Sequence, residues 1–228
     1  MTPHVLTLLA TAVALGFVHT VLGPDHYVPF VAMAKARHWS RRKTLTITLL
    51  SGVGHVTSSV LIGLAGLLFG VEVLKLTALE SARGAIAGWL LFGFGLAYTV
   101  WGIRHAVRQS RLTHTHDGLT HVHLGQKEHH HERVNLTPWV LFTIFVFGPC
   151  EPLIPLIMYA ATTTANAFAI TGVALAFGLT CISTMTVLVM ASLRGLEWLP
   201  RWNLDRYMHA MAGSILALCG AGILFLGM

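Results

Sequence analysis

Two long stretches without charge constrain this chain more than any other feature. Apart from Asp25, no charged residue lies between Met1 and Phe30, and none lies between Thr44 and Val71. A helix that crosses the hydrocarbon core of a bilayer needs about 20 apolar residues, and each stretch can supply one. Charged residues make up only 11% of the whole chain, against roughly 25% in soluble domains. The sequence therefore predicts an all-α integral membrane protein.

Apolar segments predict six transmembrane helices, over residues 5–34, 44–70, 84–103, 136–165, 166–192 and 207–228. The first and fourth segments are longer than one crossing requires, and each contains a Gly-Pro pair, at Gly23-Pro24 and Gly148-Pro149. Proline removes a helical hydrogen bond and clashes with the preceding turn. We therefore expect helices 1 and 4 to be broken at these two positions.

Basic residues are concentrated in alternate connections. Of the 15 Lys and Arg residues, all but Lys75 and Arg83 fall within 35–43, 104–135 and 194–206. Cytoplasmic loops carry an excess of Lys and Arg. The pattern predicts a multi-pass protein of the cell (inner) membrane with both termini outside the cytoplasm and the 104–135 loop inside it. The net charge of +6 then reflects topology and does not indicate a nucleic-acid partner.

The two halves of the chain share three short matches in the same order. Residues 23–26 correspond to 148–151, residues 54–57 to 178–181, and residues 87–91 to 212–216. Two copies of a three-helix unit must have opposite orientations in the membrane, because three is odd. We therefore predict a 3+3 inverted repeat of residues 1–103 and 136–228, the plan of many secondary transporters.

Several ionisable groups fall where the chain should lie inside the bilayer. A carboxylate at the bilayer centre costs roughly 2.5–3.5 kcal/mol, so such a group normally faces a partner or a pathway. A mixture of imidazole, thiol and carboxylate suits Ni²⁺, Co²⁺, Zn²⁺, Cu or Fe²⁺ better than Mg²⁺ or Ca²⁺. The predicted metal ligands are His19, Asp25, His26, His55, Cys150 and Glu151. No catalytic residue and no prosthetic group is predicted, and Cys181 and Cys219 are interpreted as packing residues.

His19 and His26 leave two geometries open. They are seven residues apart, which is about 10 Å along a straight helix at 1.5 Å per residue. Two imidazoles that bind one ion at about 2 Å cannot easily span that distance. Either the Gly23-Pro24 break brings the two rings together, or they form successive stations on one path.

The 104–135 loop is rich in histidine. Such tracts bind divalent transition metals loosely, and this one could collect metal for export, buffer it after import or sense its level. Seven histidines fall within residues 114–131 of this loop: His114, His116, His121, His123, His129, His130 and His131.

In its first half the sequence resembles the nickel/cobalt transporter family (NiCoT/NicO-type, UreH-like). That family has a helix with His, four residues and then Asp-His; here five residues separate His19 from Asp25-His26. His55, within Gly-His-Val-Thr-Ser, resembles the family's histidine on the second helix. The resemblance implies a permease for Ni²⁺ or Co²⁺ with these residues at its metal site.

The second half is similar to a different family. Gly148-Pro149-Cys150-Glu151-Pro152 resembles the Pro-Cys…Pro motif of the CcdA/DsbD family, which passes reducing equivalents across membranes. In that family each half contributes one cysteine at this position, whereas the first half here has Asp25. The resemblance implies a shared 3+3 fold, and a paired dithiol only if Cys181 substitutes for the missing cysteine.

Together these features predict a permease for divalent transition metals, most consistent with Ni²⁺ or Co²⁺, and not an enzyme. The chain has no nucleotide-binding G-x-x-x-x-G-K-[ST] motif, so a gradient or another subunit would drive transport. The expected partners are the metal ion, the lipid bilayer, and a second copy or a metallochaperone. Two alternatives stay open: a thiol–disulfide electron carrier that uses Cys150 and Cys181, and a membrane chaperone or sensor that delivers metal without transporting it.

Overall fold

The computed structural model describes residues 3–111, 113–116, 119–122, 137–164, 166–197 and 205–227. Apart from one short antiparallel hairpin, the regular elements among these residues are helices. They are α1 Pro3–Leu22, α2 Val28–Ala36, α3 Arg41–Phe69, α4 Val73–Arg111, β1 Thr113–His116, β2 Leu119–Val122, α5 Thr137–Phe147, α6 Leu153–Thr164, α7 Ala167–Glu197 and α8 Met208–Leu226. Single 3₁₀ turns, Pro24–His26 and Asp205–Tyr207, precede α2 and α8.

Five of the described helices are long and apolar enough to cross a bilayer. They are α1, α3, α7, α8 and the part of α4 over Val73–Arg108. Their outer faces carry large apolar side chains in contact with the surroundings, such as Phe17, Leu61 and Leu218. The inner and the outer faces of these helices are therefore both apolar, which suits helices that are surrounded by lipid. The protein is a multi-pass, helical membrane protein.

The helices α5 and α6 are apolar but short, with 11 and 12 residues. At 1.5 Å per residue, neither is long enough to cross the roughly 30 Å of hydrocarbon alone. Residues 148–152 separate them, as residues 23–27 separate α1 from the nine-residue α2. The prediction of six transmembrane helices in an inverted repeat stays a prediction.

Local sequence explains where the long helices begin and end. The Ser40 side chain accepts a hydrogen bond from the Lys43 N–H (3.2 Å) and caps the first turn of α3. At its other end Gly70 adopts a left-handed φ of 64°, and the Val71 N–H donates to the Gly66 carbonyl (2.9 Å). A residue without Cβ adopts this conformation without strain, so the chain reverses directly into α4.

The observed α4 corrects one boundary. Hydropathy placed its start at residue 84, but the helix begins at Val73 and includes Glu80 and Arg83. These two residues lie three apart on one helix face and form an ion pair, so their charges are compensated inside the protein. The helix also continues past the predicted end at 103, to Arg111.

Small residues allow α4 and α8 to approach very closely. A Cβ atom added to Gly95 would overlap the backbone nitrogen of Ala217 and would lie 2.8 Å from the Gly213 carbonyl oxygen. Gly213 and Gly220 on α8 face the backbone of α4 in the same way. Contacts of this type drive helix association in membranes, where lipid tails are as apolar as side chains.

Replacing Gly95 with valine should therefore push α4 and α8 apart. We expect the unfolding free energy to fall by about 1–3 kcal/mol, the usual cost of overpacking a close-packed interface, measured as a lower melting midpoint in detergent. Gly93 is the matched control, because an added Cβ there meets no atom within 4 Å. Equal effects of Gly93→Val and Gly95→Val would contradict this packing.

Candidate functional site

Three histidine rings meet inside the protein. His19 lies in the last turn of α1, His26 in the 3₁₀ turn that follows, and His55 in the middle of α3. The ring centroids are 4.7 Å apart for His19 and His26 and 5.1 Å apart for His26 and His55. One nitrogen from each ring can be chosen so that all three lie within 4.8 Å of one another. The rings therefore form one cluster, and His19 and His26 are not successive stations on a path.

The Gly-Pro sequence explains how two residues seven apart come together. The helix α1 ends at Leu22, and the His26 N–H donates to the Gly23 carbonyl (3.0 Å) in a tight turn. A Cβ atom at position 23 would lie 2.5 Å from His26 Nδ1 and 2.9 Å from an oxygen of Asp25. Glycine at position 23 therefore leaves room for the His26 ring and the Asp25 carboxylate as they are placed, and the turn folds the His26 ring back toward His19.

Backbone carbonyls fix two of the rings in one orientation. His26 Nδ1 lies 3.2 Å from the Gly23 carbonyl oxygen and 3.3 Å from Asp25 Oδ1. His55 Nδ1 lies 3.2 Å from the Phe145 carbonyl oxygen. Because a carbonyl oxygen can only accept, Nδ1 carries the hydrogen and the Nε2 atom of each neutral ring has a free lone pair. Both Nε2 atoms are buried without a hydrogen-bond partner among the described residues.

Two thiols lie beside this cluster. Cys150 follows Pro149 in the segment between α5 and α6, and Cys181 lies in the middle of α7. Both are fully buried, both are free, and both belong to one cluster of packed, buried side chains. Thr20 donates a hydrogen bond to Cys181 Sγ (3.2 Å), and His19 Nε2 lies 4.0 Å from Cys150 Sγ. The interpretation of Cys181 as a packing residue therefore overlooked its neighbour.

A buried ion pair holds the backbone of the Cys150 segment. Glu80 is completely buried and accepts hydrogen bonds from the Cys150 N–H (3.0 Å) and the Ser59 hydroxyl (3.1 Å). Arg83 pairs with Glu80 and donates to the Val146 carbonyl oxygen at 2.9 Å. These contacts satisfy backbone groups that lose their helical partners where α5 ends. In a bilayer every such group must find a partner within the protein.

Glu80 and Arg83 are the functional neighbours that the sequence analysis missed. An acidic and a basic residue three apart, at the edge of an apolar segment, can pair on one helix face. That spacing could have indicated the ion pair. It was overlooked because the apolar segment was predicted to start at residue 84, after both residues.

The predicted carboxylate ligands lie at the edge of the cluster. Asp25 contacts His26, and both line a cavity of about 550 Å³ together with His19. Glu151 also lines this cavity, but it is exposed and is not one of the groups whose ligand atoms converge. Cys150 is close to His19 alone among the three imidazoles. The structure thus brings together His19, His26 and His55, with Asp25 and Cys150 adjacent and Glu151 on the cavity wall.

Most of the histidine-rich loop lies outside the described residues. The exception is the hairpin, where β1 and β2 pair antiparallel and place His114 opposite His121. The prediction that this loop binds metal stays untested.

Comparison with known families corrects the sequence interpretation. Residues 25–222 match the family described as cytochrome C biogenesis protein transmembrane region. No curated protein and no solved structure matches the chain. The family match covers both halves, including Asp25, His55, Cys150 and Cys181.

The matched family is the CcdA/DsbD family. The resemblance to nickel/cobalt transporters was therefore wrong, and the predicted nickel/cobalt permease is wrong with it. The histidine spacing that suggested that family also departs from its pattern by one residue.

The ion pair generates a direct prediction about stability. Replacing Glu80 with alanine leaves Arg83 buried without its carboxylate and removes the acceptor of the Cys150 N–H. Loss of one partner of a buried pair costs about 3–5 kcal/mol, so the thermal midpoint in detergent should fall steeply. Glu72, whose exposed carboxylate pairs with Lys75, gives the control, since Glu72→Ala should change little. Similar midpoints for the two variants would argue against the network.

Proposed function

The chain belongs to the cytochrome c biogenesis protein transmembrane region family, and on this premise we propose that it is a transmembrane thiol–disulfide electron carrier. The observation that carries the proposal is that Cys150 and Cys181, which are distant in sequence, lie together in one buried cluster. Two neighbouring thiols are the minimum that reversible disulfide exchange requires. This pair takes the place of the two cysteines that the family's pattern puts one in each half.

The reaction is a two-step exchange with a partner dithiol. A thiolate of the partner attacks the oxidised Cys150–Cys181 bond, forms a mixed disulfide and releases one cysteine as a thiolate, which takes up a proton. The partner's second thiolate attacks the mixed disulfide, and the partner leaves as a disulfide. Two electrons and two protons have then moved to the carrier. A partner disulfide on the opposite side accepts them through the same steps in reverse.

Access to the thiols requires a conformational change. Both sulfur atoms are fully buried in the described conformation, so it represents an occluded state. The residues that line the cavity of about 550 Å³ include Pro149, Glu151 and Pro152, which are near neighbours of Cys150 in sequence. A modest opening of the protein along this cavity would expose the thiol pair to a partner.

The repeat architecture would supply that movement. We propose that α1 with α2 and α5 with α6 form two discontinuous spans, which together with α3, α4, α7 and α8 make six spans in a 3+3 inverted repeat. Rocking of one half against the other would expose the thiol pair to each side in turn. In this arrangement the basic connections face the cytoplasm, and the termini and the cavity mouth, beside the end of α8, face the opposite side.

Electron transfer across a membrane tests the proposal. The purified chain is placed in liposomes with a reduced dithiol protein, such as thioredoxin, outside and an aromatic disulfide that yields a coloured thiolate trapped inside. We expect coloured thiolate to accumulate with the wild-type chain. With Cys150→Ser or Cys181→Ser the rate should fall to that of protein-free liposomes, because neither variant can form the disulfide.

Cys219 provides the matched control. It is also a buried cysteine, but it packs in a different cluster, with residues of α2, α4, α5 and α8. Cys219→Ser should transfer electrons at the wild-type rate. Full activity of Cys150→Ser would exclude the proposed carrier.

A further inference from the structure

We infer that His19, His26 and His55 form a binding site for a divalent transition-metal ion, and that the bound ion holds the neighbouring Cys150 in its reduced form. The ion would be resident, with borderline character such as Zn²⁺ or Co²⁺. The metal site stands on the histidine geometry alone. The effect on Cys150 rests on the proposed electron carrier.

The first argument is that two buried histidine nitrogens lack hydrogen-bond partners. His26 Nε2 and His55 Nε2 are lone-pair acceptors buried without a partner among the described residues. A buried polar atom without a hydrogen bond costs about 1–3 kcal/mol. The two Nε2 atoms cannot satisfy each other, because neither carries a hydrogen. A cation placed between them removes this cost.

The second argument is the way in which the rings are held. Histidines that bind metals almost always donate their other ring N–H to a carboxylate or a backbone carbonyl. His55 does this through the Phe145 carbonyl, and His26 does so through the Gly23 carbonyl and Asp25. This shared orientation leaves the Nε2 atoms of both rings free to bind an ion.

The third argument concerns distance and charge. Tetrahedral nitrogen ligands at 2.0–2.1 Å from zinc lie about 3.3 Å apart, and the three histidine nitrogens are already within 4.8 Å of one another. Side-chain shifts of about 1 Å therefore complete three ligands. Asp25, at the edge of the cluster, offsets part of the ion's charge, and the cavity lined by Asp25 and Glu151 gives a route for the hydrated ion.

Cys150 completes the site and links it to the thiol pair. Its Sγ atom lies 4.0 Å from His19 Nε2, so a side-chain movement toward the three imidazoles would add it as a fourth ligand. On coordination the thiol loses its proton to the cavity, and one metal–sulfur bond forms without any change in oxidation state. A sulfur bound to the ion is a poor partner for Cys181, so the ion should slow disulfide formation.

Metal titration tests the site. The full chain carries alanine at the seven histidines within residues 114–131, which would otherwise bind metal, and is titrated with Co²⁺ in detergent after treatment with a chelator. We expect one ion per chain and a thiolate-to-cobalt charge-transfer band. The band should disappear in Cys150→Ser while the ion stays bound. His26→Ala and His55→Ala should weaken binding by at least about tenfold.

Two controls keep this experiment decisive. His4 lies on α1 outside the cluster, with its ring near Tyr159, so His4→Ala should bind Co²⁺ like the parent chain. Asp25→Asn keeps the shape of the site, and we expect a loss of roughly ten- to a hundredfold in affinity. Absence of a stoichiometric ion, or unchanged affinity in both His26→Ala and His55→Ala, would overturn the site.

Oxidation kinetics test the coupling. The rate at which Cys150 and Cys181 form a disulfide in the presence of a small-molecule oxidant is followed by thiol alkylation, with and without Zn²⁺. Zn²⁺ should slow the reaction at least about tenfold in the parent chain and should have no effect in His55→Ala. An equal rate with and without bound Zn²⁺ would overturn the coupling. If no disulfide forms even without metal, the electron carrier fails, whereas the Co²⁺ titration decides the metal site separately.

Discussion

Backbone groups that lose their helical partners inside a bilayer must be satisfied by the protein itself, and this constraint organises the whole site. The segment between α1 and α2 satisfies it locally, through the tight turn in which the His26 N–H donates to the Gly23 carbonyl. The segment between α5 and α6 satisfies it through a third helix, because Glu80 and Arg83 on α4 bind the Cys150 N–H and the Val146 carbonyl. Each solution fixes the position of one reactive side chain.

The α1–α2 segment and the α5–α6 segment place their reactive side chains at the same site. The first brings His26 close to His19 and His55, and the second holds Cys150 near His19 and in the same buried cluster as Cys181. The Phe145 carbonyl, in the last turns of α5, orients His55, so the two segments also support each other. The histidine cluster and the thiol pair therefore share one backbone framework. Their proximity is the physical basis for linking metal binding with thiol chemistry.

The sequence predicted the features that depend on composition. It did not predict the features that depend on which side chains lie next to each other in the folded protein. The uncharged stretches identified a helical membrane protein, and the Gly23-Pro24 pair drew attention to His19, Asp25 and His26. The inclusion of Glu80 and Arg83 in α4 could not be read from hydropathy, because a compensated ion pair looks the same in sequence as two exposed charges. Cys181 was interpreted as a packing residue, and its pairing with Cys150 was kept only as an alternative, because the two cysteines lie on segments that are distant in sequence. The family assignment failed because a short histidine motif outweighed a likeness that extends over both halves.

The central claim is that Cys150 and Cys181 form a reversible disulfide. Mass spectrometry of the purified chain, digested after mild oxidation and blocking of free thiols, tests it most directly. We expect a cross-linked peptide pair that contains Cys150 and Cys181, that separates on reduction, and that leaves Cys219 alkylated. Recovery of Cys150 and Cys181 as alkylated thiols after oxidation, or of a disulfide that involves Cys219 instead, would contradict the account.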